Sequence, residues 1–159
     1  MLRKFHVAVI DNMLDTCTQM PHLTIEYSAN LADLVDMQAV IAALHRAALG
    51  TGIASLEGLR TRAAPRAQYL IADGDPSNVF VSVIARLAVG RSVADKQRFI
   101  DALLQALEQA LGTAATHAMI SVEYQEIDPD SRVNKNNLRP AVAAREEARR
   151  LESGGSNVR

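Results

Sequence analysis

The sequence contains no tryptophan, and aromatic side chains make up only 4% of its 159 residues. A buried core must therefore be built from aliphatic side chains, which the hydrophobic content of 48% supplies. That content also argues against disorder as a description of the whole chain. A chain of this length is typical of one domain.

The sequence is also poor in metal-binding residues, because it has one cysteine, Cys17, and four histidines. A lone cysteine cannot form an internal disulfide or a zinc-thiolate cluster, and the histidines have no HxxxH spacing. We therefore predict no metal site. The single thiol favours a reducing compartment, so we predict a cytoplasmic location.

Neither charge is in excess, with 17 Lys+Arg against 18 Asp+Glu. Proteins that bind nucleic acid by neutralising phosphates usually carry a basic excess, so no nucleic-acid partner is predicted. No apolar run approaches the roughly 18 residues of a membrane-spanning helix. A short apolar stretch near the start is broken by Asp11 and Asn12, before it reaches the length typical of a signal peptide. No membrane partner is predicted.

Apolar and polar residues alternate at residues 23–28, 79–88 and 119–127, which predicts three half-buried strands. Helical spacing of apolar side chains predicts one helix from Met37 to Gly50. A second follows a capping box at Ser92 and Asp95 and ends at Gly112. Residues 59–62 and 67–72 are further strand candidates that a proline, Pro65, divides, and residues 30–36 are predicted to form a loop.

This order of elements predicts an α+β fold of tandem β-α-β units (β-α-β-β-α-β), with two helices packed on one face of a mixed sheet. We expect an N-terminal extension at residues 1–20, a domain at residues 21–142, and a charged helical or disordered tail at residues 143–159. In the tail, Glu146 and Arg150 have the i,i+4 spacing of a helical ion pair.

A proline at the start of the first strand is the first candidate for chemistry. Met20 directly precedes Pro21, so translation from Met20 followed by removal of that methionine would leave Pro21 with a free secondary amine. An α-amino group has a pKa of about 8 and can act as a general base near neutral pH. An ordinary proline at the first position of a strand would explain the same residue without any chemistry.

Three arginines are the second candidate. Arg60 and Arg62 are two residues apart and therefore lie on the same side of a strand, and Arg91 lies where a strand meets a helix N-terminus. Arginine binds carboxylates through two parallel hydrogen bonds, and a helix N-terminus adds positive potential. The set is suited to a polyanionic small molecule, although surface salt bridges are an alternative explanation.

Short motifs along the chain carry a resemblance to a known family. They are PHLTIEYSAN at residues 21–30, TGI at 51–53, GLRTR at 58–62, ADG at 72–74, GRS at 90–92 and NN at 136–137. In this order and spacing they resemble the 5-carboxymethyl-2-hydroxymuconate delta-isomerase family, which belongs to the tautomerase superfamily with an amino-terminal proline. The resemblance extends from Pro21 to about Val142.

The resemblance implies a homotrimer, no cofactor, and a step in the catabolism of the aromatic compound homoprotocatechuate. It assigns proton transfer to Pro21, and substrate binding and polarisation to Arg60 and Arg91, with Arg62 as a further substrate-binding residue. The expected substrate is a dicarboxylate or tricarboxylate 2-hydroxydienoate, such as 5-carboxymethyl-2-hydroxymuconate, which the enzyme ketonises.

Two alternatives to this isomerase stay open at this point. One is a tautomerase acting on another 2-hydroxydienoate or a phenylpyruvate-type substrate. If Pro21 is not N-terminal, its nitrogen is an amide that cannot act as a base, and a non-catalytic carboxylate-binding trimer is expected instead. A free Pro21 would arise either from translation that starts at Met20 or from removal of residues 1–20. We expect Met20 to be the start, because residues 1–19 show no periodic pattern.

Overall fold

A computed structural model describes residues 21–154 of the chain. The predicted extension at residues 1–20, including Met20 and Cys17, lies outside the described residues, as does the end of the tail from residue 155.

Four strands form one mixed sheet: β1 (His22–Ser28), β2 (Arg60–Arg66), β3 (Val79–Ala88) and β4 (Ala118–Ile127), in the order β2-β1-β3-β4. β1 pairs with β2 in parallel, β3 pairs with β4 in parallel, and the two inner strands β1 and β3 are antiparallel. Each parallel pair is joined through a helix, so the predicted tandem β-α-β fold with a mixed sheet is confirmed.

Both predicted helices are present, and a side chain caps the N-terminus of each. α1 (Met37–Gly50) is capped by Asp36, whose carboxylate accepts from the backbone N–H of Gln38 at 2.9 Å. α2 (Val93–Leu111) is capped by Ser92, whose Oγ accepts from the backbone N–H of Asp95 at 3.1 Å. Such caps satisfy backbone donors that have no partner inside the helix.

The core lies between one face of the sheet and these two helices. α1 contacts β2, α2 contacts β4, and the helices contact each other. Alternate strand residues point to this face, which explains the period of two in the sequence. Fully buried side chains on the strands and helices include Leu23, Ile25, Val81, Val83, Leu44, Phe99, Leu103 and Leu107. The other face of the sheet, which we call the open face, carries half-buried residues such as His22, Thr24 and Ser82.

Two predictions between the first helix and β3 are wrong. β2 continues through Pro65 instead of ending before it, because β2 is an edge strand and one of its sides needs no backbone donors. Residues 67–72 form no strand and belong to an excursion of turns leading to β3. Within the predicted loop at residues 30–36, the chain forms a short 3-10 helix, Ala29–Asp33. Two further 3-10 helices are Gly112–His117 and Pro129–Ser131.

The tail begins with a third helix, α3 (Arg139–Gly154), whose described side chains are mostly exposed. Its ion pairs have i,i+3 spacing, Glu146 with Arg149 at 2.7 Å and Glu147 with Arg150 at 2.8 Å. The predicted pairing of Glu146 with Arg150 is therefore wrong by one residue, since Glu146 pairs with Arg149 and Arg150 pairs with Glu147. None of the helices within residues 21–154 is both long and apolar enough to cross a membrane.

Candidate active site

The candidate residues Pro21, Arg60 and Arg91 lie at the same end of the sheet, where strands begin or finish. β1 and β2 begin at this end, and β3 finishes there because it runs antiparallel to β1. Pro21 immediately precedes β1 and is buried, and its carbonyl oxygen accepts from the backbone N–H of Arg60 at 3.1 Å. Arg91 follows the end of β3. Strand pairing thus places residues up to 70 positions apart at the same end of the sheet, where Pro21 contacts Arg60 and Arg91 contacts the loop at Ile53.

A histidine on the open face lies between two of the candidate arginines. Nη2 of Arg60 is 2.6 Å from Nε2 of His22, and Nη1 of Arg62 is 3.3 Å from Nδ1 of the same ring. His22 is opposite Arg60 in β2 and opposite Arg86 in β3, so all three side chains point to the same face. The prediction that Arg60 and Arg62 share one side of a strand is confirmed.

This part of the site is strongly cationic. The pKa of His22 is lowered to about 4, first by burial and then by the charges of Arg60, Arg62, Arg86 and Arg132. Burial also lowers the pKa of Arg60, together with the charges of Arg62 and Arg132. A group that is costly to protonate stays neutral, so the His22 imidazole is uncharged at neutral pH.

Arg91 is held by the backbone rather than by a carboxylate. Its Nη1 donates to the carbonyl oxygen of Ala88 at 2.7 Å, and its Nη2 donates to that of Ile53 at 3.3 Å. These bonds join the end of β3 to the loop between α1 and β2. The charge of Arg91 also acts on Tyr124, where it opposes the burial that raises the pKa of the hydroxyl. Arg91 is therefore oriented before any ligand binds.

A cavity of about 350 Å³ adjoins Arg60. It lies between residues 56–60, at the start of β2, and residues 135–142, where the chain leads into α3. Asn136 joins its two walls by donating from Nδ2 to the carbonyl oxygen of Glu57 at 2.8 Å. The paired asparagines of the NN motif thus lie beside the candidate site, and one of them holds its wall in place.

The described residues contain no grouping of three or more His, Cys, Asp or Glu side chains that a metal ion would need. The chemistry available here is that of a secondary amine, if Pro21 is the first residue, and of several guanidinium groups. Guanidinium groups bind carboxylates and stabilise negative charge that develops on oxygen.

Sequence reasoning missed His22, Arg86 and Arg132. His22 and Arg86 could have been found by extending the period of two, because each occupies a position on its strand opposite to the buried set. Arg132 follows β4 in an irregular segment, so no periodic signal marks it.

Comparison with known proteins supplies the family. The sequence profile of the 5-carboxymethyl-2-hydroxymuconate isomerase family matches residues 21–142, which is more than three quarters of the chain. The chain belongs to this family. As a member of the 5-carboxymethyl-2-hydroxymuconate isomerase family, it is an isomerase, and the match begins at Pro21.

Individual relatives of the 5-carboxymethyl-2-hydroxymuconate isomerase family agree. The 5-carboxymethyl-2-hydroxymuconate Delta-isomerase of Escherichia coli is 25% identical over 121 residues, covering 75% of this chain and 96% of its own. A crystal structure of a 5-carboxymethyl-2-hydroxymuconate isomerase from Deinococcus radiodurans R1 is 29% identical and covers 79% of this chain and 96% of its own, with a TM-score of 0.72. A fused 4-OT symmetric trimer, 22% identical over 73% of this chain and 92% of its own, shares the fold with a TM-score of 0.53.

Proposed function

We propose that this chain ketonises a carboxylated 2-hydroxydienoate such as 5-carboxymethyl-2-hydroxymuconate, without a cofactor, in the cytoplasmic degradation of homoprotocatechuate. One observation carries the proposal: the family match begins at Pro21, and Pro21 adjoins Arg60 at the cationic end of the sheet. The resemblance in the sequence assigns the proton transfer to the same residue.

Pro21 is the proposed general base. A free α-amino group has a pKa of about 8, and both burial and a nearby guanidinium disfavour its protonated form. The neutral amine takes the proton from the 2-hydroxyl of the dienol and returns it to a distal carbon. The product is the conjugated 2-oxo isomer, so the reaction moves one proton and neither gains nor loses an atom.

Arg60 and Arg91 are the proposed binding and polarising groups, with Arg62 as a further substrate-binding residue. Backbone carbonyls use two of the five N–H donors of Arg91, and its guanidinium also acts on the Tyr124 hydroxyl; the remaining donors are the ones proposed to bind the substrate. Donors that are already oriented stabilise the negative charge growing on the substrate oxygen without reorganising during the reaction.

The mechanism requires a free amine, so we propose a mature chain that begins at Pro21 after translation from Met20. Residues 21–142 would then form the catalytic domain, and residues 143–159 a tail that takes no part in the reaction. The extension at residues 1–20 would be absent from the active form.

A homotrimer is part of the proposal. The open face of the sheet carries the half-buried apolar side chains of Phe80 and Ile84, and Met119 on β4 is 61% exposed. The outer strands β2 and β4 also each leave one edge without a partner within the described chain. Apolar surface and open strand edges are both stabilised when they are covered by other subunits.

The test compares two forms of the protein, the full chain of 159 residues and a chain that begins at Pro21. Ketonisation of 5-carboxymethyl-2-hydroxymuconate is followed by ultraviolet absorbance, and the first residue of each form is verified by intact mass. We expect the full chain to be at least about 100-fold slower, because a general base contributes about 10²–10⁴ to the rate.

A third form, the chain beginning at Pro21 with the substitution Pro21→Ala, keeps an amine but not the secondary amine and is expected to be slower than its parent. Circular dichroism verifies that each form is folded. Equal rates for a full chain with an intact Met1 and for the chain beginning at Pro21 would refute the proline base. Turnover of phenylpyruvate alone would leave the base in place and refute the substrate.

A further inference from the structure

The contacts of His22 on the open face contain a mismatch of hydrogen-bond donors. Arg60 approaches Nε2 of the ring at 2.6 Å, and Arg62 approaches Nδ1 at 3.3 Å. A guanidinium has only donors, and a neutral imidazole has one acceptor nitrogen and one N–H. The ring can therefore accept from one of the two arginines and not from both.

The shorter contact decides which nitrogen accepts. At 2.6 Å from Arg60, Nε2 must be the acceptor, so the ring hydrogen lies on Nδ1. Nδ1–H and the Nη1–H of Arg62 are then two donors only 3.3 Å apart that cannot satisfy each other. An oxygen acceptor bound beside both of them would satisfy both.

The charges around the ring indicate the nature of that acceptor. All the charged groups that act on the His22 pKa are arginines, namely Arg60, Arg62, Arg86 and Arg132. Within residues 21–154, none of Arg60, Arg62 and Arg86 forms an ion pair. At the other end of β2, on the same face, Arg66 is paired with Glu26. The chain therefore neutralises one end of this strand itself and leaves the other end cationic.

We propose that Nδ1–H of His22 and the guanidinium of Arg62 together bind a second carboxylate of the ligand, so that His22 helps to select dicarboxylates over monocarboxylates. The subsite rests on the proposed function in that its ligand is the substrate. It adds a specificity-determining histidine that moves no proton. The hydrogen bond from Arg60 orients the neutral ring, so that the Nδ1–H points to the ligand.

Isothermal titration calorimetry of the full chain with two readily available dienes, muconate and sorbate, tests the subsite. Muconate has a carboxylate at each end of a six-carbon diene, and sorbate has a methyl group in place of one carboxylate. We expect the parent to bind muconate about tenfold or more tightly than sorbate, since a hydrogen bond to a charged group contributes a change of this size. Arg62→Gln and His22→Phe should each remove most of this preference while leaving sorbate binding within about threefold.

Three controls separate a subsite from general charge or folding effects. Arg66→Gln removes one positive charge from the same strand and face and should leave the preference intact. His22→Asn keeps a side-chain N–H near the position of Nδ1 and should retain most of the preference lost in His22→Phe. Nitrogen-15 NMR of the parent should find the His22 hydrogen on Nδ1, a readout that requires no ligand.

The outcomes are separable from those of the proposed function, because titration needs neither turnover nor a free Pro21 amine. A muconate preference lost in Arg62→Gln would support the subsite, and failure of the chain beginning at Pro21 to ketonise the dienol would separately refute the reaction. A hydrogen on Nε2, no muconate preference in the parent, or equal losses for both ligands in Arg62→Gln would overturn the subsite even if turnover were normal.

Discussion

The first β-α-β unit (β1, α1, β2) and the second (β3, α2, β4) have the same topology but differ in the apolar residues that their helices bury and in the charged residues that their strands carry. α1 has 14 residues and buries Val40, Leu44 and Ala48. α2 has 19 residues and buries Phe99 and three leucines. The first unit instead brings His22, Arg60 and Arg62 together at the start of its parallel strand pair.

The buried side chains of α2 and the charged side chains around His22 have opposite effects on folding. The large apolar side chains of α2 are withdrawn from water and favour folding. Like charges gathered around His22 repel one another and oppose folding, and such a cluster becomes favourable only when an anion binds. The helix of the second unit therefore buries more apolar surface than that of the first, and the first unit supplies His22, Arg60 and Arg62 to the cationic cluster.

The largest expected effect is on the core of the second unit. Phe99→Ala removes a fully buried ring that also packs edge-on against Tyr124, and it should lower the free energy of unfolding by about 3–5 kcal/mol. Leu44→Ala in α1 is the matched change in the first unit and should cost less, because fewer buried atoms are lost. Urea denaturation followed by circular dichroism measures both. An equal or larger loss in Leu44→Ala would show that the two units share the core evenly.

The next effect contrasts one arginine from each unit. In the chain beginning at Pro21, Arg60→Gln should lower kcat/KM by about 100-fold, as loss of a charge-stabilising donor does. It should leave the free energy of unfolding unchanged or raised, because it relieves repulsion. Arg91→Gln should lower both quantities, since its guanidinium donates to two backbone carbonyls. Its cost in stability is expected at about 1–3 kcal/mol.

Steady-state kinetics and urea denaturation of the same preparations distinguish these cases. Arg66→Gln is a control for the change in net charge on β2. A marked loss of stability in Arg60→Gln would contradict the view that this arginine serves binding rather than folding. Full stability in Arg91→Gln would mean that the two carbonyls find other donors.

The smallest expected effect is a pH dependence of stability arising from His22. The folded protein holds the pKa of His22 at about 4, below its ordinary value of 6.5, mainly by burial and then by the surrounding arginines. The unfolded chain therefore takes up a proton below about pH 6.5, where the folded chain does not. The free energy of unfolding therefore has its full contribution from the neutral ring above about pH 6.5. This contribution is lost as the pH falls towards 4.

His22→Gln should flatten this part of the pH profile relative to the parent, as measured by thermal unfolding between pH 7 and about pH 4.5. The difference between the two proteins isolates the histidine from carboxylates that titrate in the same range. Identical profiles would mean that His22 is protonated with an ordinary pKa in the folded protein.

Much of the fold could be predicted because its signals are local. The alternation of Leu23, Ile25 and Tyr27 depends only on the geometry of a strand, and the Ser92 cap depends on residues three apart. The prediction fails at Pro65, which the sequence predicts to divide two strands and which lies inside one. The tolerance of that proline depends on β2 being an edge strand, which is a property of the whole sheet.

By itself, the sequence determined the order of elements, the faces of the inner strands and helices, and the placement of Arg60 and Arg62 on one side of a strand. These follow from backbone geometry over a few residues. Only the tertiary structure decided that His22 lies between those arginines, that Arg86 faces the same ring, and that Arg91 is held by the carbonyl of Ile53. Such contacts join residues 38 or more positions apart. Strand pairing and register bring His22 to its arginines, and the loops after α1 and after β3 meet to bring Ile53 to Arg91.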